Sequence, residues 1–493
     1  MIITAASILL LLQQVAGFSS STPVSLQTRK TSVASFPSAK NTKLRATIND
    51  DEKAFDEYLE MNNLRGATRV INNKASNLNM DQERLVKIFN AVERRTMEAE
   101  ENSINKRIAE DANLLDNMDY QYPPISPARM EMTTMYQALK ENGVLNVFGA
   151  AADGNVPAQG SKIITPTLLE KITGLSMISL TPQPTNTLLI AGAAFALSEG
   201  IFSIFTGVDL NFLIFFTLFL AFLDKLLVNG AVFESITRLA MPEYRRKILR
   251  HEAGHFLAAY LLGCPVEGCV LSSWAALSDS RFGGRRTTVS AGTSFFDPSL
   301  SDEMNGRKPL TRSSIDRYTI IVMAGIAAEA LNFGRADGGA GDEAALIGFL
   351  SNLNPKSGGA VSWDLESIKN QARWGALQSV LLLREYSACY DALVDALEAG
   401  GNLGECVYAI ENAAKENGLP TVAQKPLGYI IDRGPYGEWD TSFSELGAVK
   451  PNGSSPAAQE ELRVVDEIVS LEELKSRMQQ KLKDIDSQLD QFQ

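Results

Sequence analysis

His251-Glu252-Ala253-Gly254-His255 places two imidazoles four residues apart, with a carboxylate next to the first. The flanking segments, Ile248-Leu249-Arg250 and Phe256-Leu257-Ala258-Ala259-Tyr260-Leu261-Leu262, contain no proline and enough helix formers to continue a helix on both sides. On a helix, residues four apart project from one face, so both rings can reach a single ion. Zinc suits this geometry: two nitrogen ligands on one helix, a further protein ligand, and a fourth position left for water. Glu252 is then spaced to take a proton from that water and return it later, as a general base and acid. Gly254 is expected to keep the surface beside the ion open. The chain has 2 histidines in 493 residues, and both lie in this pentapeptide. A third protein ligand must therefore be Asp, Glu or Cys, which excludes a three-histidine site.

The elements that position such a pair can be read downstream. Ser313-Ser314-Ile315-Asp316 has a capping pattern and opens a long helix running through Ile320 to Leu331. That helix is apolar nearly all round and must be buried, which makes it the natural partner of the histidine helix. It ends at Phe333-Gly334. The glycine-rich loop that follows carries three carboxylates, Asp337, Asp342 and Glu343, into a new helix expected at Ala344. The third ligand is expected in this acidic turn. Between the two helices, Arg286 to Phe296 is β-prone and reads as strand flanking the histidine helix, with an edge able to hold an extended peptide.

These segments resemble a known family. His251-Glu252-Ala253-Gly254-His255, Pro309-Leu310-Thr311-Arg312-Ser313, and Met323 to Glu329 followed by Phe333-Gly334 and a Gly-Ala-x-Asp turn are similar to the peptidase domain of FtsH-type ATP-dependent zinc metalloproteases. The resemblance covers residues 241–345. It implies an FtsH-like helical zinc peptidase fold, with His251 and His255 as zinc ligands, Glu252 as general base and Asp342 as the third ligand. The turn is one residue off the family's register, so Glu343 competes for that role, and Asp337 after it. Ile326 stands where the family usually has arginine.

The family couples its peptidase to an AAA ATPase, and here the chain departs. No Gly-Lys dipeptide occurs, so no Walker A loop exists to cradle phosphates, and Phe233 to His251 leaves no room for the domain. Any unfolding work must come from an ATPase partner in trans. Two other readings follow from the same residues. One is a catalytically weak or inactive assembly scaffold, suggested by the altered third-ligand turn. The other is an intramembrane site-2-type protease, suggested by Asn354-Pro355 and disfavoured by the basic residues before His251.

The rest of the chain frames this region. Residues 1–17 read as a signal peptide. Residues 18–49, with five basic residues, many Ser and Thr and no acid, read as a transit peptide. Together they resemble the bipartite presequence of algae with complex plastids. Residues 50–145 read as a helical N-terminal arm and 146–187 as a Pro/Gly/Thr-rich linker. Two apolar runs within 188–233 read as a pair of transmembrane helices, interrupted by Glu199 and by Asp224-Lys225. Arg238, Arg245, Arg246, Lys247 and Arg250 follow, and by the positive-inside rule they place the histidine helix on the stromal side. The expected domains are then a zinc peptidase unit over 241–415, a loop over 416–458, and a coiled coil over 459–493 with apolar residues at a/d spacing. That stripe points to self-association or docking on a partner.

The fold class expected is mainly α (α+β). The partners expected are protein substrates and a lipid membrane. A net charge of −12 argues against nucleic acid. Four cysteines, Cys264, Cys269, Cys389 and Cys406, provide no disulfide framework in a chain this long, and Cys264 and Cys269 read as buried thiols.

Overall fold

Prolines and hydroxyls set where many of the helices begin. In a computed structural model, the described residues are 48–74, 80–110, 126–152, 164–182, 187–282, 291–308, 311–353 and 363–421. The N-terminal part contributes α1 (Ile48–Glu60), α2 (Leu64–Lys74), α3 (Gln82–Glu110), α4 (Pro127–Glu141) and α5 (Pro166–Thr173). Ser126 and Thr165 accept amide hydrogen bonds in front of Pro127 and Pro166, so α4 and α5 both start with a side-chain cap and a proline in the first turn. A hairpin of α6 (Thr187–Thr206) and α7 (Leu210–Val228) follows, then α8 (Ala231–Ala240) and the histidine helix α9 (Pro242–Leu261). The remainder comprises β1 (Val266–Val270), α10 (Ser273–Ser278), β2 (Gly292–Phe295), α11 (Pro298–Met304), α12 (Arg312–Phe333), α13 (Ala340–Leu353), α14 (Leu365–Glu385), α15 (Ser387–Glu398) and α16 (Leu403–Glu416).

The chain is mainly helical, as its patterning implies. Among the described residues β1 and β2 form one two-stranded antiparallel sheet, with Val270 opposite Gly292 and Val266 opposite Phe295. β1 falls in the segment read from sequence only as a thiol pair. Cys264 is buried and Cys269 half-buried, and all four cysteines are free.

The core is one contiguous cluster from Phe55 to Ala414. Its centre is the crossing of α9 on α12, with α14 packed on α12 and also touching α9. Gly254 makes the crossing close. A Cβ there would stand 2.6 Å from the Ala324 carbonyl oxygen and 2.8 Å from Ala328 Cβ. The expected open surface at Gly254 is therefore a helix contact, because glycine lets two backbones approach where any side chain would collide.

The N-terminal arm and linker read from sequence are not separate from this core. Tyr136 of α4 donates to the Val266 carbonyl at 2.8 Å, and Gly404 of α16 sits against Val86 of α3 so tightly that a Cβ would be 2.6 Å from Val86 Cα. Leu145, Val147, Phe148, Ile164, Leu168, Leu169 and Leu180, all within or beside the expected linker, are buried. Glu411 holds the first part of that segment, accepting from the Asn146 amide at 2.7 Å and from Tyr260 Oη at 2.6 Å. Pro and Gly content marked these stretches as irregular, and irregular backbone can be core when its amides find buried acceptors.

Other boundaries also moved. The N-cap of α12 is Thr311 rather than Ser313, and its hydroxyl donates to Glu303 at 2.7 Å instead of capping the helix. α13 starts at Ala340, four residues before the expected Ala344, which puts Asp342 and Glu343 in its first turn.

Of the described residues, one helix, Leu210–Val228, is long and apolar enough to cross a membrane by length and composition. The apolar stretch of α6, Phe195–Thr206, is shorter. The polar interruptions have partners: Thr217 of α7 donates to Glu199 of α6, and Asp224 accepts from the Val232 and Phe233 amides at 3.0 and 2.9 Å. The expected signal peptide and coiled coil lie outside the described residues, as does nearly all of the expected 416–458 loop; of the expected transit peptide only Ile48 and Asn49 are described, and they open α1.

Candidate metal centre

Helix α9 presents His251 and His255 toward α12, and each ring is fixed through its Nδ1. His255 Nδ1 lies 2.7 Å from the Ile321 carbonyl oxygen, and His251 Nδ1 lies 2.8 Å from Glu329 Oε1. A carbonyl only accepts, and an ionised carboxylate only accepts, so both Nδ1 atoms carry a proton, and in the neutral rings both Nε2 atoms present lone pairs. Those two Nε2 atoms are 3.0 Å apart. Asp342 Oδ2 joins them at 2.9 Å from His251 Nε2 and 3.5 Å from His255 Nε2. The three donor atoms lie within 4.8 Å of one another. Three lone pairs facing one another repel unless something positive sits among them.

One glycine keeps that point free, and a second shapes the turn beside it. A Cβ on Gly325 of α12 would fall 2.4 Å from His251 Nε2 and 2.5 Å from His255 Nε2, where a shared cation would stand. Gly339, at φ +87°, turns the chain toward α13, and a Cβ there would meet Ile326 at 2.3 Å. Ile326 is fully buried, so it packs this turn.

The three candidate acids go to different places. Asp342, in the first turn of α13, is the one that reaches the imidazoles. Its neighbour Glu343 lines a small cavity with Leu169, Met323 and Arg373. Asp337 pairs with Lys247 of α9, and with Arg335 at 2.9 Å. In a helical turn adjacent residues point about 100° apart, so only one of Asp342 and Glu343 can face α9.

Glu329 closes the segment that carries the family resemblance, has no role by sequence alone, and organises the site. Its Oε1 accepts from His251, while Oε2 accepts the amides of Asp337 at 2.8 Å and Gly338 at 3.0 Å. One buried carboxylate thereby orients a ring of α9 and anchors the loop that delivers Asp342. The available signal was a charged residue inside an otherwise apolar buried helix, which requires a partner.

Charge follows geometry. Burial pushes the His251 imidazole down, but where no cation is bound the carboxylates of Asp342 and Glu329, accepting from its two nitrogens, outweigh burial and raise it to about 10, so a proton takes the place of the ion. Burial lowers His255 as well, and Asp342 raises it further than burial lowers it. Burial pushes Asp342 up, and the two imidazoles hold it well below the ordinary carboxylate range. The site is built to hold positive charge.

Glu252 is 6% exposed and lies on the side of α9 that faces the sheet. Thr293 of β2 donates to Glu252 Oε2 at 3.0 Å, or to the Glu252 carbonyl oxygen at 3.2 Å. Burial raises the Glu252 carboxyl above its ordinary value, with the two imidazoles acting in the opposite direction.

Two imidazole nitrogens and one carboxylate oxygen, with both rings oriented from behind, fit a divalent transition metal, and zinc is among those served by this donor set. No family model, no curated protein and no solved structure matches this chain.

Proposed function

We propose that the chain is a membrane-anchored zinc metalloendopeptidase. The observation that carries this reading is the convergence of His251 Nε2, His255 Nε2 and Asp342 Oδ2 on one point, beside a buried carboxylate on the same helix. The order of parts supports an FtsH-like peptidase fold: a His-Glu-x-x-His helix, then a buried helix, then an acidic turn supplying the third donor.

His251, His255 and Asp342 would hold the ion. Bound zinc supplies Lewis acidity, lowering the pKa of a water to about 7 and polarising a peptide carbonyl. Glu252 takes the proton from the attacking water and gives it to the departing amine nitrogen. Its burial suits this task, since a carboxyl with a raised pKa can carry a proton between the two steps. Thr293 keeps Oε2 oriented. Glu329 and the Ile321 carbonyl keep the imidazoles in the tautomer that leaves Nε2 free.

Location follows from the sequence features. Residues 1–49 suit delivery to a complex plastid, the α6–α7 hairpin suits a membrane anchor, and the basic residues before His251 suit a site on the stromal side. Without a phosphate-binding loop, the chain would act on loosely folded proteins or with an ATPase in trans.

The test is the full chain with Glu252→Gln, assayed for cleavage of an unfolded protein and for bound zinc. Lost cleavage with zinc retained is the expected result. Unchanged cleavage would overturn the mechanism, and a wild-type chain that neither holds zinc nor cleaves would favour the scaffold.

A further inference from the structure

Helix α8 puts large apolar side chains into solvent on one face only. Phe233, Ile236 and Leu239, spaced by three, are 58%, 55% and 74% exposed, while Ala231, Glu234 and Thr237 on the opposite face are buried. Trp274 of α10 stands beside this stripe, 45% exposed. Its indole N–H donates to Ser235 Oγ at 3.0 Å, so the ring's one polar group is satisfied within the protein and the rest can enter an apolar phase. Just beyond α8, Tyr244, Arg245 and Arg246 are exposed, with Glu243 the one exposed acid among them.

The stripe is joined to α7, which has no buried residue. Between them Asn229 and Gly230 adopt φ of 53° and 82°, two successive left-handed residues that break the helix at a corner. Asp224 closes the corner by accepting the Val232 and Phe233 amides, and Lys225 donates to Asn229 at 2.7 Å. With its first amides satisfied by a side chain, the start of α8 can stand at an apolar boundary without orphaned donors.

We propose that α8 is an interfacial helix. It lies at the boundary between headgroups and acyl chains of a bilayer, with Phe233, Ile236, Leu239 and Trp274 inserted and Arg245 and Arg246 against anionic headgroups. This rests on the membrane reading of the α6–α7 hairpin and adds a second, peripheral contact. Because α9 begins after one intervening residue, Met241, the contact also sets the place of the metal centre. His251 is about 14 Å along the helix from Pro242, so the site is held a short, fixed distance from the lipid surface.

The test uses the full chain reconstituted in vesicles of phosphatidylcholine and phosphatidylglycerol. Resistance to alkaline carbonate reports on the hairpin, and quenching by brominated lipids, with Trp274→Phe as the baseline, reports on α8. Expected is carbonate resistance, with Trp274 quenched several-fold more by bromines near the headgroup than by bromines at the chain ends. Serine at positions 233, 236 and 239 together should reduce that quenching and leave carbonate resistance unchanged. Carbonate-resistant protein with Trp274 unquenched by lipid overturns the interfacial helix and leaves the anchor standing. Release by carbonate overturns the anchor and this inference together. Trp274 shielded from aqueous quencher yet untouched by brominated lipid would put a second copy over the stripe, and quenching unchanged without phosphatidylglycerol would overturn the arginine contact.

Discussion

Glu329 and His251 are joined by a 2.8 Å hydrogen bond between Oε1 and Nδ1, within a carboxylate whose other oxygen holds the amides of Asp337 and Gly338. The two elements that bring ligand atoms together, α9 and the start of α13, are therefore tied through one side chain of α12. Glu329→Gln preserves shape and removes the charge. Zinc affinity is expected to fall by about 10- to 100-fold, the usual effect of losing an outer hydrogen-bond partner. Competition against a chromophoric chelator measures it, and an unchanged affinity would remove Glu329 from the site.

Gly325→Ala places a methyl group where the two Nε2 atoms and Asp342 converge. Metal binding should be lost while helical circular dichroism persists, because Gly325 lies mid-helix and alanine is the better helix former by ~1 kcal/mol. Zinc bound at wild-type stoichiometry would mean that the ion sits elsewhere.

The three acids should separate cleanly. Asp342→Ala is expected to lose zinc, whereas Glu343→Ala retains it, since only Asp342 lies against the imidazoles. Asp337→Ala should retain zinc but lower the melting temperature by breaking the pair with Lys247. Metal content by mass spectrometry and a thermal melt of each variant decide the matter, and zinc lost from Glu343→Ala alone would reverse the assignment.

Gly254→Ala tests the helix crossing. A Cβ 2.6 Å from the Ala324 carbonyl forces α9 and α12 apart, and overpacking of this kind costs about 1–3 kcal/mol. Denaturant unfolding should show the loss, and unchanged stability would mean that the helices separate freely.

Alkaline stability follows from two buried phenols. Burial raises Tyr136 and Tyr260 well above the ordinary tyrosine value, so in the folded chain both remain protonated where an unfolded chain ionises. Their contribution is fully present below pH ~10, the unfolded value, and is lost as pH rises beyond it. Tyr136→Phe and Tyr260→Phe should flatten the decline in melting temperature between neutral and strongly alkaline pH. An equally steep decline in both variants would assign the effect to other groups.

The sequence carried the site more fully than its setting. The helical spacing of His251 and His255 and the burial of α12 were legible because helix periodicity is local. The resemblance put Asp342 ahead of Glu343 and Asp337, and Asp342 is the acid that meets the imidazoles; periodicity alone did not choose it, since the choice depends on where α13 begins, and that is set by Gly339 against Ile326. Gly254 and Gly325 look alike in the sequence, each a single glycine inside a helical run. One lets two helices touch and the other leaves a space, a difference only tertiary contact creates. The buried stretch 147–151 was read as part of a linker over 146–187 because its ordering comes from a distant residue, Glu411.

Val86 and Gly404 touch although more than three hundred residues separate them along the chain. Contacts of such long range form slowly. A ribosome must release α16 before the groove beside α3 can be filled, and until then Tyr260, one turn beyond the imidazole pair, lacks its acceptor. The histidine helix is made in mid-synthesis but finds this support only once α16 has emerged, so a half-made chain would carry its histidines without the frame that aims them.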